Sequence, residues 1–276
     1  MKSTISLFLL SVLGHSNVVA GFHFPNHSHY RSVGNLNINR QLSSSPALNF
    51  FNKSVPETKP VVIQGVGEEG CRLPSPSGIN TLPQPIQASI VLAIFAGLGA
   101  LTIPFSSFLT DITNQYEWVQ TWRYTWPLLG VIYAAAGVTH FTLQDAYENI
   151  YPQKGAWGIW YLPLSPSFHV KWTGVAEVLG GVGLVIGGLI DAFAPVYFTS
   201  PNLLTNAGIG SDSAAALLLL TIAVTPANIY MFTHGARLPV DGPEIPVAGH
   251  AIRGIMQVVL FGLLYQMGSG TFEELL

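Results

Sequence analysis

A chain of 276 residues that is 49% hydrophobic and only 9% charged, with 28 glycines and a mean hydropathy of +0.42, has the composition of an integral membrane protein; a soluble domain carries about 25% charged residues. The net charge of −3 and the scattered Lys and Arg leave no basic surface for nucleic acid. The one cysteine, Cys71, precedes every long apolar segment, which excludes disulfide frameworks, C-x-x-C redox pairs and cysteine metal sites from the membrane region.

The first sixty residues read as an address. Met1 and Lys2, the apolar run 5–13 and the small-residue end at Ala20 have the parts of a secretory signal peptide over 1–20, too short to span a bilayer. Residues 21–60 are rich in Ser and Asn, hold Arg31, Arg40, Lys53 and Lys59, and contain Glu57 as their only acid, the composition of a transit peptide. The junction Val18-Val-Ala-Gly-Phe22-His-Phe24-Pro25 resembles the bipartite presequence of algae with secondary plastids, where an aromatic residue and a proline follow the cleavage site. That resemblance implies a plastid membrane, thylakoid or envelope. The competing reading is a plain secretory signal. Gly65, Gly67, Gly70 and several prolines make 61–85 a flexible linker in either case.

Apolar runs then predict five spans, at 86–109, 126–143, 170–190, 213–232 and 249–267. Trp118, Trp122, Tyr124 and Trp126 crowd the approach to the second, and Trp157, Trp160, Tyr161 and Trp172 the approach to the third, where amphipathic rings prefer the membrane interface. Lys154, Lys171, Arg237 and Arg253 precede the third or fifth span, on the side of the basic linker, whereas the other side offers Arg123 among Asp111, Glu117, Asp191 and Asp212. The positive-inside rule places that first side in the stroma or cytosol. With five spans, Glu273 and Glu274 lie across the membrane. Gly183 and Gly187 form a small-xxx-small pair for close helix approach. Pro226 frees a backbone carbonyl in the fourth span and predicts a kink, with Asn228 as the bridge to that carbonyl.

Strong polar groups punctuate the last four spans: His140 late in one, Glu177 early in the next, Asn228 late in the third, Arg253 and Gln257 early in the fourth. If successive helices alternate direction, late and early positions share one leaflet, with Glu177 and Gln257 roughly 10 Å below their helix starts. Ionisable groups inside a span are costly and usually pair. These five residues are therefore the ligand-binding candidates, with Glu177 and Arg253 expected as an ion pair. Stripes formed by His250, Arg253 and Gln257, and by Thr221, Thr225 and Asn228, back them, while Tyr133 and Gly137 lie under His140. His140 and Glu177 are too few for a catalytic zinc unless His169 or His250 joins them, so no metal is assigned. Phosphate loops, dinucleotide glycine fingerprints, H-E-x-x-H and G-x-S-x-G are absent.

The segments Gly137-Val-Thr-His140-Phe141, Thr173-Gly174-Val-Ala-Glu177-Val-Leu-Gly-Gly181, Thr225-Pro226-Ala-Asn228-Ile-Tyr-Met231 and Arg253-Gly-Ile-Met-Gln257 resemble, in order, the four helix signatures of the DoxX-like family. The resemblance covers 126–268 and implies an all-α, polytopic membrane helix bundle: a four-helix core, to which this chain adds an extra transmembrane helix at 86–110. Some members are similar to the small membrane subunit of thiosulfate:quinone oxidoreductase. The lack of cysteine in the bundle departs from thiol-dependent bundles such as those like vitamin K epoxide reductase.

Two functions are compatible with these residues. In one, the cluster binds a lipophilic molecule such as a quinone: Glu177 and His140 exchange protons with it, Arg253 holds its anionic form, and Gln257 and Asn228 orient its carbonyls. No cofactor is identifiable in the chain, so a partner would supply electrons. In the other, the protein is a non-catalytic subunit or assembly factor of a larger, photosynthetic membrane complex, with the cluster as internal glue.

Overall fold

The computed structural model describes residues 74–197, 208–238 and 243–275, and among these it is all helical, without a strand. The expected address segments at 1–20 and 21–60 lie outside the described residues. The helices are α1 (Gln84–Gln115), α2 (Glu117–Arg123), α3 (Leu129–Thr142), α4 (Gln144–Ile150), α5 (Pro166–Tyr197), α6 (Ile209–His234) and α7 (Val247–Leu275). Four of them, α1, α5, α6 and α7, are by themselves long and apolar enough to cross a membrane.

The second predicted span is the exception. Trp126 and Pro127 open a 3-10 turn over Trp126–Leu128, and α3 has 14 residues, roughly 21 Å, short of a hydrocarbon core of about 30 Å. Tyr124, Thr125 and Leu128 nevertheless keep right-handed helical angles, so one helical path runs from Glu117 to Thr142 before bending by 99° into α4. The bend falls where Gln144 and Asp145 bring polar side chains to the end of an apolar stretch. Counted as one span, this path gives five crossings.

Glycine seams set the register. A Cβ at Gly137 would meet the Gly174 carbonyl at 2.6 Å, one at Gly174 would meet the His140 Cβ at 2.7 Å, and Gly130 opposes Gly181 one turn pair further along. The contacts climb α3 as they descend α5, so the two helices are antiparallel and at backbone contact. On the neighbouring stripe Gly180, Gly183 and Gly187 admit Leu217, Ser213 and Gly210 of α6, the close approach expected of the Gly183 and Gly187 pair. The α6 and α7 helices also run antiparallel, since Ser211 bonds Thr271 near one end and Asn228 bonds Arg253 near the other. The first helix packs on the last: Phe105 fills the space beside Gly262, and Gln266 donates to the Ser106 carbonyl, the Ser106 hydroxyl and the Thr110 hydroxyl. These ties run the same way along both chains, as five alternating crossings require.

Two apolar clusters fill the bundle. One, about Leu98, Leu184, Leu217, Phe261 and Leu264, joins α1, α5, α6 and α7. The other, about Val91, Trp157, Ile229 and Tyr230, closes the face where α1 begins and α6 ends. The linker expected over 61–85 is not loose from residue 74 onward. Ser75 donates from its hydroxyl to the Thr233 carbonyl (2.8 Å) and from its amide to Asn80 Oδ1 (3.0 Å), Ile79–Thr81 forms a 3-10 turn, and helix starts at Gln84. Polar side chains that bond the end of α6 override the turn-forming composition there. Through Pro226, α6 continues as one helix.

Candidate functional site

His140 occupies the last turn of α3, opposite the first turns of α5. Gly137 and Gly174 bring the two backbones close enough for its Nδ1 to reach the Val170 carbonyl at 2.9 Å. A carbonyl only accepts, so Nδ1 carries the hydrogen and the neutral ring keeps its lone pair on Nε2. That lone pair faces Glu177 Oε2 at 3.6 Å. Both residues are buried, at 6% and 7% exposure, and Glu177 Oε2 has no hydrogen-bond donor. Two acceptors opposed in a buried site are joined by a hydrogen bond only when one of them carries a proton, as imidazolium with carboxylate or as imidazole with carboxylic acid. At 3.6 Å the two atoms lie just beyond hydrogen-bond distance, so a proton on either one would draw them together.

Aromatic and hydroxyl groups frame the pair. The Tyr147 ring from α4 lies on the imidazole, with centroids 3.9 Å apart, and its hydroxyl meets Thr139 Oγ1 at 2.7 Å. Thr139 spends its own hydrogen on the Ala136 carbonyl, so Tyr147 donates. Tyr133 likewise donates to Thr221 Oγ1 (2.7 Å), since Thr221 gives its hydrogen to the Leu217 carbonyl (2.6 Å). Both tyrosine hydroxyls lie within electrostatic reach of Glu177, yet both donate elsewhere. The carboxyl group is left to His140.

The other three candidates pair among themselves and with α6. Gln257 Nε2 donates to Thr225 Oγ1, which passes its hydrogen to the Thr221 carbonyl at 2.8 Å, and Arg253 Nη2 donates to Asn228 Oδ1. The expected ion pair between Glu177 and Arg253 does not form: Glu177 faces His140, and the partner of Arg253 is the neutral amide of Asn228. The reason is the packing order, in which α6 stands between the helix that carries Glu177 and the helix that carries Arg253. Asn228 is engaged by Arg253 and makes no bond to the carbonyl freed by Pro226.

His169 does not join His140. Its Nε2 lies 2.7 Å from the Pro163 carbonyl, its Nδ1 accepts from Trp172 Nε1 at 3.1 Å, and its ring stacks on Tyr151. Both nitrogens are engaged, so in this arrangement neither is free to complete a metal site with His140 and Glu177. The His250 ring packs on Phe232. Among the described residues, no three His, Cys, Asp or Glu side chains converge as a metal site.

Sequence reasoning missed Tyr147 and Thr173, which orders His140 by accepting near its Nδ1 at 3.2 Å. It also missed the cap above the cluster. Trp157 is 2% exposed, donates from Nε1 to Thr233 Oγ1 at 2.9 Å, and packs edge-on against Tyr230 and His234. Its φ of 55° is left-handed, a costly conformation for a bulky residue, held by Gly155 and Gly158 on either side at φ 90° and 76°. The closely spaced glycines around a tryptophan were the legible signal; interfacial placement was the expectation, and burial is the outcome.

Compared with protein-family models, with curated proteins and with solved structures, the chain gives no match.

Proposed function

We propose that this integral membrane protein binds a small lipophilic carbonyl compound of the quinone type beside His140 and Glu177, and that this pair supplies or takes up the proton that accompanies the ligand's redox change. The observation that carries this reading is the opposed pair of acceptors, Nε2 and Oε2, 3.6 Å apart and without another donor at that oxygen. A structural helix tie would be expected to end on a donor and an acceptor, as Gln257 and Thr225 do. An acid facing a base is the arrangement of a proton-exchanging site. The chain's own residues supply binding and a proton, and electrons come from a partner. The four helix signatures support placement among DoxX-like proteins, and the junction at Phe22 to Pro25 supports delivery to a plastid membrane.

The test uses full-length protein in nanodiscs titrated with a short-chain quinone, read by quenching of tryptophan fluorescence and by proton uptake on reduction. Wild type should bind and take up a proton. Glu177→Gln should keep its fold and lose the proton uptake. Binding and uptake unchanged in Glu177→Gln would overturn the reading.

A second reading, as a non-catalytic subunit of a larger membrane complex, is favoured by a different observation: Arg253 with Asn228, and Gln257 with Thr225, use up two pairs of candidate groups within the bundle. Purification from native membranes separates the two. A large assembly without bound quinone supports the second reading.

A further inference from the structure

Arg253 sits in the second turn of α7, roughly 9 Å along the axis from Val247. Its neighbours Ile252 and Ile255 are 59% and 64% exposed, so this part of α7 faces acyl chains. A cation at such depth is usually paired with a carboxylate or with backbone carbonyls. Here Nη2 is given to Asn228 Oδ1, and among the described residues no carboxylate pairs with the guanidinium and no other hydrogen bond engages it. Arg253 itself is partly exposed on this stretch of α7.

A freely snorkelling arginine would meet the same requirement by bending toward bulk headgroups. The Asn228 amide argues against that, because it holds one nitrogen of the guanidinium at one place between α6 and α7. A planar fork anchored at one nitrogen, with further N–H groups not hydrogen-bonded within the bundle, matches the oxygens of a phosphate or sulfate. His250, one turn nearer the membrane surface, lies within electrostatic reach of the guanidinium and adds an imidazole on the same side. The recess beside it, bounded by Phe232, Arg237, Glu244 and His250, holds about 10 Å³, room for about one water. An anion is therefore taken at the surface of the bundle. A lipid delivers its headgroup oxyanion to that level along with its chains, whereas a free anion would have to leave water.

We propose that Arg253, oriented by Asn228 and flanked by His250, is a binding site for the oxyanion of one anionic lipid headgroup in the leaflet where α6 ends and α7 begins. The site is independent of the His140 and Glu177 pair.

The test is lipid retention by the full chain in mild detergent, supplied with equal phosphatidylglycerol and phosphatidylcholine and read by native mass spectrometry. Wild type should retain one phosphatidylglycerol with a preference of about tenfold. Arg253→Gln should abolish the preference, Arg253→Lys should weaken it because the ammonium cannot make a two-point contact, and Arg123→Gln, at the opposite face, should leave it intact. If Arg253→Gln does not fold, Asn228→Leu keeps the cation and frees its fork, and the preference should drop severalfold. Preference unchanged in Arg253→Gln or in Asn228→Leu overturns the proposal. In a second arm, millimolar inorganic phosphate replaces the lipid. Stabilisation equal to that by phosphatidylglycerol would identify a free-anion site and overturn the lipid assignment; no stabilisation by phosphate supports it.

Discussion

His140 and Glu177 face each other through Nε2 and Oε2 at 3.6 Å, while the opposite nitrogen of the imidazole is committed to the Val170 carbonyl. The commitment at Nδ1 is what makes the other side of the ring an acceptor, so the fold sets an acceptor against the carboxyl oxygen.

Glu177→Gln places an amide N–H against Nε2 and removes the need for the shared proton. Thermal unfolding in mild detergent should show a melting temperature no lower than wild type. His140→Ala removes the imidazole that faces the buried carboxyl and should cost about 3 to 5 kcal/mol, the cost of breaking a buried pair. Equal losses in the two variants would contradict the assignment of the hydrogen to Nδ1.

Gly181→Ala should separate α3 from α5, because the added Cβ meets the Gly130 carbonyl and the Ala134 amide, both backbone atoms that cannot turn away. A loss of about 1 to 3 kcal/mol is expected from overpacking. Gly97→Ala and Gly254→Ala meet nothing within 4 Å and should be neutral or stabilising by up to about 1 kcal/mol. The same unfolding assay compares them.

Gln266→Leu removes all three bonds that its Nε2 makes to Ser106 and Thr110 of α1. Polar ties between membrane helices contribute about 0.6 to 2 kcal/mol each at most, so the bundle should stay folded while α1 loosens. Cross-linking between cysteines placed at Phe105 and Gly262 would fall in yield if this tie holds the first helix to the last.

Trp157→Ala should cost about 3 to 5 kcal/mol for the lost ring. Trp157→Phe should cost less, about 1 kcal/mol for the indole bond, because Thr233 Oγ1 keeps its bond to the Ile229 carbonyl. Trp157→Gly should recover about 1 to 2 kcal/mol relative to Ala, since the residue sits at φ 55° and glycine adopts that angle freely. A glycine variant less stable than the alanine one would argue against strain at this position.

Topology is tested with Cys71→Ser as background and single cysteines at Ser77 and Glu273, labelled from each side by a membrane-impermeant maleimide. Five crossings place the two on opposite faces. Labelling from one side alone would show that the path through α3 and α4 turns back within the membrane.

The sequence by itself determined that this chain lives in a bilayer, since 9% charged residues cannot cover a soluble surface, and it determined where four of the crossing helices run, because apolar length is a local property. It also singled out all five polar positions, because the cost of a polar group in a span does not depend on its neighbours. Partner choice did depend on them. Glu177 falls between two glycine stripes, Gly174 with Gly181 toward α3 and Gly180 with Gly187 toward α6, and only the assembled helices show that its side chain meets His140 and that α6 screens it from Arg253. The anchoring of Ser75 and the burial of Trp157 were decided in the same way. Both rest on contacts to Thr233 across a large sequence separation, and no local pattern of residues encodes the far end of such a contact.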